Sequence, residues 1–280
     1  MRVTIFGATG LLGKALMRKW QGDEVVGLAS SDADIRSPEQ VSATIQKRRP
    51  ECVVLAAAYT DVDGCETHTD LAFEVNCRGA VNVAQAAAQA GSQLIFLSTD
   101  YVFDGNKNRP YEIDDPPSPQ TVYGTTKAVA EVEIRKLHPE ACILRTSWLF
   151  GVGGKCFPDT ILKLAQTRNE VDVVNDQRGN PTYSVDLART IIELSRKRAR
   201  GIVHATNRNE CSWFDFASEI VSDAHLHVRI CPTSSDKFPR PAKRPKYSVL
   251  SPKSLEQYGL QMPMWQDALR RYLAERGSSE

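Results

Sequence analysis

The chain has 280 residues, enough for one large α/β domain or two modest ones, and a chain of this size can bury about 75% of its unfolded surface. Thirty-five Lys and Arg against 34 Asp and Glu leave a net charge of +1, so no global field draws it to nucleic acid or an anionic membrane. The longest unbroken apolar run, Cys52 to Tyr59, falls far short of the roughly 20 residues of a membrane-spanning helix, and Met1 leads directly into a strand-like run. A cytoplasmic protein is expected, with seven scattered cysteines that are reduced and mostly buried.

From the N-terminus, β-rich runs alternate with helical stretches. The predicted strands are 2–6, 24–28, 52–56, 93–97 and 141–145. The predicted helices between them are 11–20, 38–47 (Ser37 as N-cap and Pro38 at the first helical position), 71–90 and 122–137. Runs such as VVLAAA suit strands covered on both faces, so the fold class is α/β, a Rossmann-type doubly wound parallel sheet. After residue 150 glycine and proline become frequent, with helices predicted at 184–195, 212–221 and 265–274. This divides the chain into a dinucleotide-binding half, residues 1–150, and a smaller discontinuous C-terminal substrate lobe, residues 151–280, with some segments returning to the sheet. RKRAR at 196–200 closes a helix, where cations complement the dipole. His225 and His227 with Cys231 have two alternating histidines in a predicted strand and no fourth ligand, so they read as structural.

Gly7-Ala8-Thr9-Gly10-Leu11-Leu12-Gly13 follows the first strand and opens the first helix. In that context a glycine turn lets backbone N–H groups approach a pyrophosphate. The second strand ends without an immediate carboxylate, at Leu28-Ala29-Ser30, which favours NADPH over NADH, although Asp32 and Asp34 lie close by. Tyr123 and Lys127 stand four apart on one helical face, where a cation can bring a phenol toward its working range. Ser98, Thr99 and Asp100 end the fourth strand, on the side where open α/β sheets bind ligands.

At these residues the chain resembles the extended short-chain dehydrogenase/reductases, and more closely the dTDP-4-dehydrorhamnose reductase (RmlD-like) family. The resemblance runs through GATGLLG (7–13), AAAYTDVDGCE (56–66), STDYVFDG (98–105), VYGTTK (122–127), RTSWLFG (145–151), VVNDQRGNPT (173–182) and the RPxxSxL element at 244–250. It implies NAD(P)H-dependent reduction of the 4-keto group of a dTDP-6-deoxyhexose. In that reading Tyr123 protonates the nascent alkoxide, Lys127 holds the nicotinamide ribose and lowers the tyrosine pKa, and Thr99 hydrogen-bonds the reacting oxygen. Gly7, Gly10, Leu11, Leu12 and Gly13 would line the pyrophosphate, Ser30, Asp34 and Ile35 the adenosine side, and Ala58, Tyr59 and Thr60 the middle of the cofactor. Thr60, Val62, Asp100, Trp148 and Arg244 would face the dTDP-sugar substrate, and Asn76 would stand near the active site or pack locally. Lys237, Arg240, Lys243, Arg244 and Lys246 form a cationic stretch suited to a nucleotide diphosphate.

Some family members dimerise through magnesium bound by glutamates, one just beyond the glycine motif. This chain has Lys14-Ala15 there, so no metal is expected. The expected partners are the sugar nucleotide, no nucleic acid and no membrane, in a monomer or homodimer. Two other readings stand beside this one: a reductase or epimerase of another nucleotide-linked hexose, and a non-catalytic binding module like the regulatory β subunit of methionine adenosyltransferase.

Overall fold

The computed structural model describes residues 1–277. Its elements in chain order are β1 (Arg2–Phe6), α1 (Leu11–Lys19), β2 (Glu24–Leu28), α2 (Pro38–Arg48), β3 (Cys52–Leu55), α3 (Val62–Thr67), α4 (Thr69–Phe73), α5 (Gly79–Gln89), β4 (Gln93–Thr99), α6 (Val122–Leu137) and β5 (Cys142–Thr146). There follow β6 (Leu149–Phe150), α7 (Phe157–Ala165), β7 (Glu170–Val174), β8 (Arg178–Gly179), β9 (Thr182–Tyr183), α8 (Ser184–Arg196) and β10 (Gly201–His204). The last are β11 (Cys211–Ser212), α9 (Trp213–Asp223), β12 (Arg229–Thr233), α10 (Lys253–Glu256) and α11 (Trp265–Gly277).

Six strands form one parallel sheet in the order β10-β5-β4-β3-β1-β2. The chain leaves β1 in one direction for β2 and returns to its other side for β3. The helices that follow these strands therefore diverge and leave a crevice at their carboxyl ends. Every residue of β3 is buried, as its unbroken apolar run requires of a strand covered on both faces. Ser37 caps α2 by accepting the Gln40 N–H, with Pro38 in the first turn.

Three readings of the sequence need correction. The single helix expected over 71–90 is α4 and α5 joined by a π-helical segment at Glu74–Arg78, which aims Asn76 inward. Ser212 is the N-cap of α9, in a capping box with Asp215, rather than its first residue. His225 and His227 lie in the turn after α9, not in a strand, and His225 has φ +54°. The sixth strand, β10, was not foreseen: only four residues long, it pairs in parallel with β5 and places His204 beside Arg145. Six of the seven cysteines are buried and none is bridged.

Beneath the carboxyl end of the sheet lies a sealed ion pair. Arg145 on β5 donates from Nε (3.0 Å) and Nη2 (2.6 Å) to the two oxygens of Glu131 on α6, and both side chains are at most 4% exposed. The Ser98 hydroxyl on β4 donates to the same carboxylate, and the Arg145 guanidinium rests 4.9 Å from the centre of the Phe103 ring. His204 contacts the far side of the guanidinium at 3.4 Å, and burial followed by the Arg145 charge pushes its pKa down to about 3, so it is neutral there. Removing one member of a buried pair strands the other charge. Arg145→Met is expected to lower stability by about 3–5 kcal/mol in urea unfolding, and Glu131→Leu combined with Arg145→Met to recover much of that loss. A double variant as unstable as the sum of its singles would refute the pairing argument.

Candidate active site

Two cavities of about 410 and 420 Å³ meet at the crevice between β1 and β3, sharing Gly7, Gly10, Ala56 and Ala58. The glycine turn shapes their floor. Gly7 has φ +88°, and an added Cβ would lie 2.5 Å from the Ala57 nitrogen, so the β1 and β3 termini touch backbone to backbone. A Cβ on Gly13 would overlap the Gly7 carbonyl oxygen, which fixes how closely α1 approaches the turn. Gly10 caps α1 without any side-chain hydrogen bond, leaving the first-turn N–H groups open to the cleft. A dinucleotide pyrophosphate fits this cradle, which a larger side chain would fill.

Ser30, Asp34 and Ile35 line the outer cavity, as does Arg36, which sequence reasoning missed. The Asp34 carboxylate is taken up by the Arg36 guanidinium (Nη2 at 2.6 Å), which holds its pKa below the usual carboxylate range. Asp32 accepts the Ala29 N–H at 2.8 Å. Both acids near the end of β2 are thus occupied locally, and a cation faces the same cavity. The Asp-x-Arg spacing at 34–36 was the available signal.

The inner cavity is walled by Leu11, Leu12, Gly13, Thr60, Val62, Thr99, Asp100, Tyr123, Lys127 and Trp148, and also by Tyr101, Thr146 and Lys155, which sequence reasoning did not select. Tyr123 and Lys127 come from the first two turns of α6, which Thr121 caps through the Gly124 N–H. Thr99 and Asp100 come from the end of β4, which runs two residues further than expected. The Tyr101 and Tyr123 rings meet edge to face at 5.7 Å.

Of the residues selected from sequence, Tyr59, Asn76 and Arg244 do not line either cavity, and neither do Lys237, Arg240, Lys243 and Lys246. Tyr59 serves through its backbone: its N–H donates to Asn76 Oδ1 (2.7 Å) and its carbonyl accepts from Asn76 Nδ2 (3.0 Å). Asn76 also donates to the Thr126 hydroxyl at 3.3 Å, so the π segment ties the loop after β3 to α6. Arg244 stands behind Tyr101, donating to its hydroxyl (3.3 Å) and to Asp63 (2.9 Å). Arg240 joins the same carboxylate, anchoring the cationic stretch to α3. Lys14, just beyond the glycine motif, donates to the Gly153 carbonyl at 2.6 Å.

Trp148 has φ +45°, a conformation that costs a bulky residue on the order of 1–3 kcal/mol. Its ring is held flat against Trp213, with centroids 3.6 Å apart and planes 6° apart, and a Cβ on Gly179 would lie 2.5 Å from it. The indole thereby becomes part of the cavity wall.

The electrostatics of the inner cavity favour neutral forms. Desolvation pushes the Tyr123 phenol well up; the Asp100 charge adds to this, and the neighbouring Thr99 hydroxyl offsets part of it. Burial pushes Lys127 down to about 7 despite Glu131 one turn away, because Arg145 occupies that carboxylate and the Lys127 ammonium faces the Phe96 ring at 4.0 Å. Among the described residues, Asp100 Oδ2 and Thr146 Oγ1 are buried polar atoms of this wall with no hydrogen-bond partner.

Fold and site together define an NAD(P)H-dependent oxidoreductase of the extended short-chain dehydrogenase/reductase type. The chain belongs to the family described as the RmlD substrate binding domain, whose profile matches residues 1–277. It is 40% identical to the spore coat polysaccharide biosynthesis protein SpsK of Bacillus subtilis (strain 168), over 99% of each chain. It is 39% identical to dTDP-4-dehydrorhamnose reductase of Mycobacterium tuberculosis (strain CDC 1551 / Oshkosh), over 99% of this chain and 94% of that protein. The crystal structure of dTDP-4-dehydrorhamnose reductase from Bacillus anthracis str. Ames in complex with NADP superposes with a TM-score of 0.96 at 39% identity, over 98% of this chain and 99% of that one. Among the described residues no helix is long and apolar enough to cross a membrane.

Two predictions follow from the geometry of the cleft. Gly13→Ala is expected to weaken NADPH binding at least about tenfold and also to lower the unfolding midpoint, because the added methyl must displace the Gly7 and Ala8 backbone, while circular dichroism stays near native. Lys127 has a folded pKa of about 7 against about 10.4 when unfolded. Between those values the unfolded chain binds more protons, so stability should rise with pH from 7 toward 10. Between pH 7 and 8, below the range in which the buried cysteines oppose it, urea unfolding should show that rise in the native chain and lose it in Lys127→Met.

Proposed function

We propose that this chain reduces the 4-keto group of dTDP-4-dehydro-6-deoxy-L-mannose to give dTDP-L-rhamnose, with NADPH as the preferred reductant and NADH as the weaker one. The observation that carries the reading is the convergence of Tyr123, Lys127 and Thr99 in one cavity continuous with the glycine cradle. The names of the relatives at 39% identity support it. In this reading residues 1–150 hold the cofactor, and most of residues 151–280 contribute to the sugar nucleotide site.

When bound, the nicotinamide supplies the hydride, and the chain positions donor and carbonyl. Tyr123, kept protonated by its desolvated setting, gives its proton to the oxygen that becomes charged. Thr99 hydrogen-bonds that oxygen, and Lys127, with no carboxylate of its own to satisfy, is free for the ribose hydroxyls. Thr60, Val62, Asp100 and Trp148 enclose the sugar, the indole covering one face. Arg244 contributes by holding Tyr101 and Asp63 in place, near the cations that suit the diphosphate. The locally paired acids after β2, together with Arg36, support acceptance of a 2′-phosphate.

Incubation with dTDP-4-dehydro-6-deoxy-L-mannose should consume NADPH, read as loss of absorbance at 340 nm, with the sugar product identified by chromatography. Tyr123→Phe should lower kcat by at least about a hundredfold while still binding NADPH. NADPH binding without turnover would refute this substrate and point to another nucleotide-linked hexose or to a binding module.

A further inference from the structure

The Thr99 hydroxyl has one proton to donate and two claimants for it. It donates to Asp100 Oδ1 at 3.0 Å while accepting the Tyr101 N–H at 3.2 Å, and it is also the group that stabilises the Tyr123 phenolate. Asp100 is only 2% exposed, and its second oxygen, Oδ2, has no hydrogen-bond partner. The Ser248 hydroxyl of the RPxxSxL element is likewise buried without a partner, and it stands close enough to Asp100 to stabilise its charge without forming a bond of normal length.

We propose that Asp100 is a positioning residue whose protonation decides where Thr99 donates. The charged carboxylate captures the Thr99 proton, and the neutral acid releases it to Tyr123 and the reacting oxygen. A charge-assisted hydrogen bond outcompetes a neutral one, which gives the carboxylate the stronger claim. In the neutral acid the carboxyl proton has an acceptor waiting in the Ser248 Oγ. Proton uptake comes from water, and no other bond changes.

Burial pushes the Asp100 carboxyl up to about 6, with Ser248 and Thr99 pulling it partway back. The ionisable groups around it are the phenols of Tyr123 on α6 and of neighbouring Tyr101, both raised by the Asp100 charge. Lys127 of α6 faces the same cavity, and Arg244 lies beyond Tyr101, tied to Asp63 of α3. The switch therefore operates within the range in which the enzyme is assayed.

The inference rests on the proposed reaction, and its test has two arms. In steady-state reduction, native kcat should fall about tenfold from pH 5 to pH 8, the fold-change of one hydrogen bond. Asp100→Asn, fixed in a neutral form, should lose that decline, and Ser248→Ala should shift its midpoint upward. An Asp100→Asn profile that keeps the native decline and differs only in KM would overturn the proposal, leaving Asp100 as a substrate contact. The second arm needs no turnover: infrared titration of the free protein should assign one carboxyl to Asp100 by its loss in Asp100→Asn. Its midpoint should rise in Ser248→Ala and in Thr99→Val, because each loses a donor to the charged form. An unmoved midpoint in both variants sinks the inference even if the sugar is reduced, and a moved one sustains it even if the substrate proves to be another.

Discussion

One buried carboxylate and one guanidinium hold together the three elements that carry Thr99, Tyr123, Lys127 and Trp148 into one cavity. Glu131 sits on α6, one turn beyond Lys127; Arg145 sits on β5, just ahead of Thr146 and Trp148; Ser98, the third partner, precedes Thr99 on β4. A shift of any one element would leave an unpaired charge in a region without water, so their relative positions are enforced at a cost of several kcal/mol. The pair also has an electrostatic consequence. By engaging both oxygens of Glu131, Arg145 leaves Lys127 without a carboxylate partner, facing only an aromatic ring and the cavity.

Tyr123, Lys127 and Asp100 are each displaced toward the neutral state, chiefly by desolvation. In the proposed reaction a cavity with this character would retain a proton on the phenol until negative charge develops beside it, as a general acid must. The buried oxygens of Asp100 and Thr146 mark where a polar ligand would complete the wall.

Trp148, Trp213 and Gly179 close the other side by packing. The left-handed backbone at Trp148 would be unfavourable in isolation, but Trp213 and the close approach of Gly179 hold the indole in place. Lys14, bonded to Gly153, pins the 151–156 loop to α1.

The periodicity of the sequence was enough to determine five of the six sheet strands and, outside the β3–β4 connection, the helices between them, because a parallel sheet covered on both faces demands continuous apolar runs. Motif spacing likewise placed the glycine turn, Thr99, Tyr123 and Lys127, whose local geometry follows from a strand end or a helical turn. Other features depended on tertiary structure. β10 is only four residues long and becomes a strand because β5 offers it a partner edge. The π segment exists because Asn76 reaches the Tyr59 backbone. Arg36, Tyr101 and Lys155 enter the cavities through folding, and Arg244 is drawn out of them by Asp63. The protonation states were least legible of all, since burial dominates them and burial belongs to the folded chain rather than to any motif.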